Sequence, residues 1–289
     1  MANEKDSARL ADFQFAGADA PRTAGVESVR GAAFGLGRFD PGAKPFSSGD
    51  KAKDKATVET LAVELDKLQD LFYADRRFKM LVVLQGTDTS GKDGTIRGVF
   101  SQMSALGVRA VAWKAPAPEE QSHDFLWRIH QKVPAAGEVI LFNRSHYEDV
   151  LVPVVKGWIT GEETARRYAQ INDFERLLAQ NGTVVLKFFL HISKDEQRRR
   201  LQDRLDDPTK HWKFERGDLE ERKLWVAYQG AYAAAIAATG TTAAPWTVVP
   251  ADSKTHRNLM VAQAMKAAFV RLKLRYPPGD PALASIKVT

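Results

Sequence analysis

The apolar run Met80-Leu81-Val82-Val83-Leu84 is followed, over residues 86–95, by Gly-Thr-Asp-Thr-Ser-Gly-Lys-Asp-Gly-Thr. A short apolar run that stops at glycine reads as a buried strand, and the polar stretch behind it as a turn into a helix. Gly86 and Gly91 free the backbone to wrap so that several N–H groups converge. Lys92 adds a mobile cation, and the helix that follows offers its positive end; together these hold a phosphoryl group. The spacing Gly-x4-Gly-Lys matches the Walker A pattern. Two acids depart from it. Asp93 stands where a Ser or Thr hydroxyl usually holds Mg²⁺, and Asp88 lies within the loop, where it repels phosphate unless a metal lies between.

The rest of the chain is consistent with an α/β fold. Strands are expected at 79–85, 108–113, 139–142, 184–192 and 246–249. Helices are expected at 57–74, 95–106, 122–131, 160–180, 194–205, 219–238 and 254–274. Strands separated by helices predict a parallel five-stranded sheet covered on both faces, with the phosphate loop at its carboxyl edge. Residues 1–56, rich in Gly, Ala, Ser, Pro and charge, read as an irregular arm that packs through Phe13, Phe15, Phe34 and Phe39. Residues 57–275 are expected to form the α/β domain that carries the phosphate loop, with a lid at about 205–218, and residues 276–289 a tail.

Composition narrows the class. The chain has 289 residues, enough for one large domain and a sizeable core. It has no cysteine, which excludes disulfides and thiolate metal sites. The polar N-terminus shows no signal peptide, and no apolar run approaches the ~20 residues of a membrane helix, so a cytoplasmic protein without membrane association is expected. The net charge of +6 suits an anionic partner or a solubilising surface.

Phosphoryl transfer needs positioning, a metal and cations around the moving group. Lys92 is the first cation, and the loop residues Gly86, Thr89, Ser90, Gly91, Asp93, Gly94 and Thr95 are expected around the phosphates. Asp88 is the best metal ligand, although its position also suits a turn or helix cap. Asp93 suits the first turn of a helix, where the dipole favours an acid. Directly after the strand at 139–142 comes Asn143-Arg144-Ser145-His146-Tyr147-Glu148-Asp149. Asn143 occupies the strand end where a Walker B acid sits; Glu148 and Asp149 supply the missing charge as further metal candidates. Arg144 offers a planar fork to phosphate. His146 reads as structural. Lys114 and Arg128 follow the second strand on the same sheet edge. Arg204, Lys210 and Lys213 belong to a basic helix and aromatic loop that read as a closing lid, with base-stacking on nucleic acid as the rival.

Four of these segments occur together, in order, in one family. Gly-Thr-Asp-Thr-Ser-Gly-Lys-Asp-Gly-Thr, His-Asp-Phe-Leu-Trp-Arg-Ile-His, Phe-Asn-Arg-Ser-His-Tyr-Glu-Asp-Val-Leu and Lys-His-Trp-Lys-Phe resemble the polyphosphate kinase 2 family over roughly residues 57–275. The resemblance implies a P-loop kinase core like that of thymidylate kinase, with a helical lid. It implies phosphoryl transfer between inorganic polyphosphate and AMP, ADP or ATP, with Mg²⁺ or Mn²⁺, in a homo-oligomer (dimer or tetramer). Asp88, Lys92, Arg144 and Glu148 are then the catalytic residues. The form Asn143…Glu148-Asp149 is similar to the class that accepts AMP as well as ADP, with Glu148 the candidate for AMP use. An ATP-dependent kinase on the same fold and a basic nucleic-acid-binding protein are the alternatives.

Overall fold

The computed structural model describes residues 2–16 and 34–288. The part of the arm at 17–33 lies outside the described residues. Six strands run in chain order: β1 (Gln14–Phe15), β2 (Lys79–Gln85), β3 (Val108–Ala112), β4 (Val139–Asn143), β5 (Thr183–His191) and β6 (Trp246–Pro250). The first helices are α1 (Ala2–Ala11), α2 (Lys51–Asp75), α3 (Lys92–Val99), α4 (Pro118–Gln121), α5 (Trp127–His130) and α6 (Val152–Val155). After them come α7 (Gly161–Gln180), α8 (Lys194–Leu205), α9 (Gly217–Lys223), α10 (Trp225–Thr239) and α11 (Lys254–Arg271).

The sheet order is β1-β6-β5-β2-β4-β3. The five strands from β6 to β3 are parallel, and β1 is antiparallel to β6. The sheet therefore has six strands rather than the expected five. Two residues in a Gly- and Ala-rich arm carry no alternating pattern, so β1 has no local signature. It is held by backbone pairing, as the Val248 N–H donates to the Phe13 carbonyl at 2.8 Å. It is also held by aromatic packing: Phe15 meets Phe34 edge-on at 4.8 Å, and Phe39 lies 5.8 Å from Phe34 and 6.1 Å from Phe13.

Alternate residues of each strand feed two cores, as the period of two requires. Met80, Val82 and Leu84 pack with α2, α3 and α11; Leu81 and Val83 pack on the other face with α7 and α10. After β2 the chain crosses to the first face, into α3. After β4 it crosses to the second, through the turn at His146–Val150. The two exits diverge at neighbouring strand ends and open a crevice between them, the place where open α/β sheets bind ligands.

Several element boundaries differ from the pattern. α2 begins at Lys51, ahead of residue 57, because the Asp50 side chain caps it, accepting from Ala52 N–H at 2.8 Å. α3 begins at Lys92 itself and ends at Val99. The expected helix at 122–131 shrinks to α5, with the separate short α4 ending ahead of it at Gln121, and that at 219–238 divides at Leu224 into α9 and α10. Among the described residues no helix is long and apolar enough to cross a membrane.

Candidate active site

The loop between β2 and α3 bends through residues in the left-handed region: Thr89 at φ 64° and Gly91 at φ 104°. A Cβ at Gly86 would lie 2.7 Å from the Leu190 carbonyl, so the loop's first position is closed to any side chain. The loop carbonyls are bound in turn. Lys92 Nζ donates to Gly86 O at 2.8 Å and Thr87 O at 3.2 Å. Gln197 Nε2 takes Asp88 O at 3.2 Å, and Arg200 Nη1 takes Thr89 O at 2.9 Å and Ser90 O at 3.1 Å. Thr95 binds Gly91 O through both N–H and hydroxyl. The N–H of a trans peptide points opposite to its C=O. Drawing the carbonyls of residues 88 and 90 toward α8 therefore turns the N–H groups of Thr89 and Gly91 to the opposite side. The hydroxyls of Thr89 and Ser90 are buried with no protein partner, as at a site shaped for an anion.

Lys92 is buried, and burial lowers its pKa from 10.5 to about 8; Arg144 adds to the fall, and Asp88, Glu148 and Asp93 oppose it. Arg144, in the left-handed region at φ 63°, follows β4 directly. Its guanidinium donates to Asp88 Oδ1 at 2.9 Å and to Glu148 Oε2 at 3.4 Å. One fork thus joins the loop acid to the acid of the second motif, across 56 residues of sequence. Glu148 is partly buried, and desolvation raises its pKa against the pull of Arg144 and Lys92. With its amide nitrogen turned toward Glu148, Gln85 donates to Oε1 at 3.0 Å and accepts from Ser145.

Beneath this segment His146 and Tyr147 point into the core. The Tyr147 hydroxyl donates to Glu175 at 2.7 Å, and Lys187 Nζ reaches Glu175 at 2.6 Å; His146 Nε2 lies 3.3 Å from the same carboxylate. His146 is structural, as its sequence context suggests.

A cavity of about 340 Å³ opens above the loop. Gly86, Thr87, Asp88, Arg144 and Glu148 form one wall. The facing wall comes from the expected lid segment, α9 and α10: Glu215, Asp218, Glu221, Tyr228 and Tyr232. Burial raises the pKa of Asp218, and the nearby Asp88 raises it further.

Other expected residues lie elsewhere. Asp149 is not in the cavity wall; it pairs with Arg128 at 3.5 Å, and its carbonyl accepts from Arg167 at 2.8 Å. Arg128 is buried, donates to Lys114 O at 2.9 Å and lies over the Trp113 ring at 5.3 Å. The Lys114 side chain is exposed. The lid cations bind their own neighbours. Arg204 donates to Lys213 O at 2.8 Å, Lys210 pairs with Asp207 at 2.7 Å, and Lys213 lies over Trp212 at 4.8 Å. Asn143 and Asp93 are joined by an amide-to-carboxylate bond of 2.6 Å, which ties the end of β4 to the first turn of α3. Sequence reasoning missed Gln197, Arg257, the acidic and tyrosine wall, and the hold of Arg200 on the loop carbonyls.

The comparisons with known proteins decide the family. Residues 48–275 match the family model for polyphosphate kinase 2. The chain belongs to the polyphosphate kinase 2 family, and is a phosphotransferase. An AMP/ADP-polyphosphate phosphotransferase from Meiothermus ruber is 50% identical over 258 residues, covering 88% of this chain and 95% of that one. An ADP-polyphosphate phosphotransferase from Rhodopseudomonas palustris is 39% identical, covering 86% and 89%. The crystal structure of polyphosphate kinase 2 from Arthrobacter aurescens superposes with a TM-score of 0.84 at 44% identity, covering 94% of this chain and 96% of that one. The α/β fold with its mostly parallel sheet is thus that of polyphosphate kinase 2, and a P-loop kinase core is consistent with it.

Members of such a family need a divalent metal. Asp88 and Glu148 offer hard oxygen donors on one rim of the cavity, which fits a hard cation. Among the described residues no cluster of three or more carboxylate, imidazole or thiol side chains could hold the ion unaided. Phosphate oxygens would complete the shell, as is usual for ions that keep few protein ligands.

Proposed function

We propose that the protein is a polyphosphate-dependent nucleotide kinase, moving a terminal phosphoryl group between inorganic polyphosphate and AMP or ADP. The observation that carries this reading is the Arg144 fork between Asp88 and Glu148, set over a loop whose amides face away from its clamped carbonyls. Two acids beside an anion site make sense when a cation lies between them and the phosphates.

The loop amides, the Thr89 and Ser90 hydroxyls and Lys92 would hold the donor phosphates. Arg144 would move from its acids onto the transferring group, where its fork matches the equatorial oxygens. Asp88 and Glu148, released from Arg144, would hold Mg²⁺ or Mn²⁺, which neutralises phosphate charge when bound. Glu148 would serve the acceptor side and permit AMP. The lid, with Tyr228 and Tyr232 behind it, would exclude water, since hydrolysis is the competing reaction. With this reading go a cytoplasmic homo-oligomer, a dimer or tetramer, and no nucleic-acid or membrane partner.

The test is ATP formation from AMP, polyphosphate and Mg²⁺ with no other phosphate donor. Product well above a Lys92→Ala control supports the reading. Activity that requires ATP and ignores polyphosphate would overturn it, as would binding of nucleic acid with no turnover.

A further inference from the structure

The loop is reached from behind by two buried arginines. Arg200, from α8, is 5% exposed, and its guanidinium binds four backbone carbonyls. These are Thr89 and Ser90 in the loop, and Ala251 and Asp252 after β6, at 2.6–3.1 Å. Its Nε also donates to Glu196 at 2.6 Å. Arg257, from α11, is 2% exposed. It donates to Asn258 Oδ1 at 2.9 and 3.1 Å and to Ser90 O at 3.4 Å. Among the ion pairs of the described residues none includes Arg257.

The glycines of the loop and of α3 are shaped to this side chain. A Cβ at Gly91 would lie 1.7 Å from Arg257 Nη1, and one at Gly94 2.9 Å from Nη2. These glycines admit a guanidinium against the first turn of α3. Two like-charged groups therefore meet at Ser90, and of the two only Arg200 has a carboxylate partner, Glu196, which it shares with Arg199. A buried charge without a partner is costly, and the cost persists in a fold only where something offsets it. The hydrogen-bond partners of Arg257 are the Asn258 amide oxygen and the Ser90 carbonyl, and the second belongs to the loop assigned to phosphate.

We propose that Arg200 and Arg257 are positioning residues that clamp the loop carbonyls from behind, and that the unpaired charge of Arg257 is balanced by the phosphate chain when it binds. The proposal rests on the phosphate-binding role given above. Arg200 fixes the Ser90–Gly91 peptide so that the Gly91 N–H faces the anion. Because α8 runs directly into the lid, the same residue ties lid to loop. Arg257 adds positive potential through the loop without touching substrate. Its removal should weaken the polyphosphate site and spare the acceptor site.

The experiment compares wild type, Arg257→Gln and Arg257→Lys. Two readouts are taken: the rise in melting temperature with inorganic tripolyphosphate and no nucleotide, and KM for polyphosphate and for AMP separately. Losing a charge-assisted interaction of this kind should raise KM for polyphosphate by about tenfold in Arg257→Gln. KM for AMP should stay within about twofold, and the tripolyphosphate-induced rise should shrink, since less binding energy is linked to folding. Arg257→Lys, which keeps the charge, should recover part of both. An Arg257→Gln protein that melts cooperatively and responds to tripolyphosphate like wild type would overturn the clamp. So would equal increases in both KM values. If Arg257→Gln does not fold, the lysine variant decides: wild-type KM values and wild-type response together overturn the positioning role, and a selective rise in KM for polyphosphate supports it. If wild type binds tripolyphosphate but turns over no polyphosphate, the proposed function fails while the clamp stands.

Discussion

The phosphate loop and the lid are both polar and both basic in sequence, yet they are organised in opposite ways. In the loop every carbonyl from Gly86 to Gly91 has a donor, and the donors are buried side chains or the helix that follows. In the lid the cations bind their own neighbours at the surface; Trp212 at its tip is 75% exposed. The face the lid turns to the cavity is acidic, through Glu215 and Asp218. On the proposed function the loop is thus organised before any ligand arrives, which is where electrostatic catalysis gains most. On the same reading, the segment proposed as a lid would have to break local pairs before its cations could serve a ligand.

That difference predicts unequal losses. Lys92→Ala removes a buried cation at the centre of the loop, and should lower kcat/KM by ~10² or more, in line with the loss of a preorganised donor. Steady-state assays with polyphosphate and ADP would measure it. Asp88→Asn comes next, with a fall of similar order if Asp88 holds the metal. A fall of only two- or threefold would return Asp88 to the role of Arg144 partner alone. Glu148→Gln should be selective, lowering kcat/KM with AMP by about tenfold more than with ADP. Equal losses would remove Glu148 from the acceptor side.

A pH profile sharpens the same contrast. Burial disfavours the charge of Lys92 and pushes its pKa down to about 8. Below that pH it is an ammonium ion and attracts phosphate; above it the neutral amine does not. kcat/KM for polyphosphate should therefore fall as pH rises through about 8. Bound phosphate restores the charge by raising the pKa, so kcat should hold to higher pH. Lys92→Arg, with a group that stays charged, should lose this limb whatever its absolute rate. An alkaline limb that survives in Lys92→Arg would assign the titration to another group.

The sequence displays the loop because its chemistry is local. An apolar strand, two glycines and a lysine lie within one short stretch, and the strand-helix alternation around them gives the sheet. Its sixth strand is invisible because two residues have no period. The clamp is equally invisible: Arg257 and Ser90 are 167 positions apart, and nothing near Arg257 in sequence marks it as a loop residue. Glu148 and Asp149 illustrate a finer limit. They are neighbours on a 3₁₀ turn, where successive side chains project ~120° apart. One consequently reaches Arg144 at the cavity and the other Arg128 away from it. A motif of two adjacent acids says that charge is present at the strand end, but not which of them faces the ligand.

The smallest expected effect belongs to the lid, and it is the one that best separates the two regions. Lys210 is exposed and paired with Asp207 three residues away. Such surface pairs contribute little to stability, so Lys210→Ala should leave the melting temperature almost unchanged. Its effect on rate should be a few-fold at most and should vanish at high salt, because an exposed cation attracts a polyanion only within the Debye length. Arg257→Gln, buried behind the loop, should keep its defect at the same salt. Measuring both variants across an ionic-strength series therefore distinguishes a charge that gathers the polymer from one that shapes its site. If the two responded to salt alike, the loop would be no better organised than the lid, and the contrast drawn from their hydrogen bonds would not describe the working enzyme.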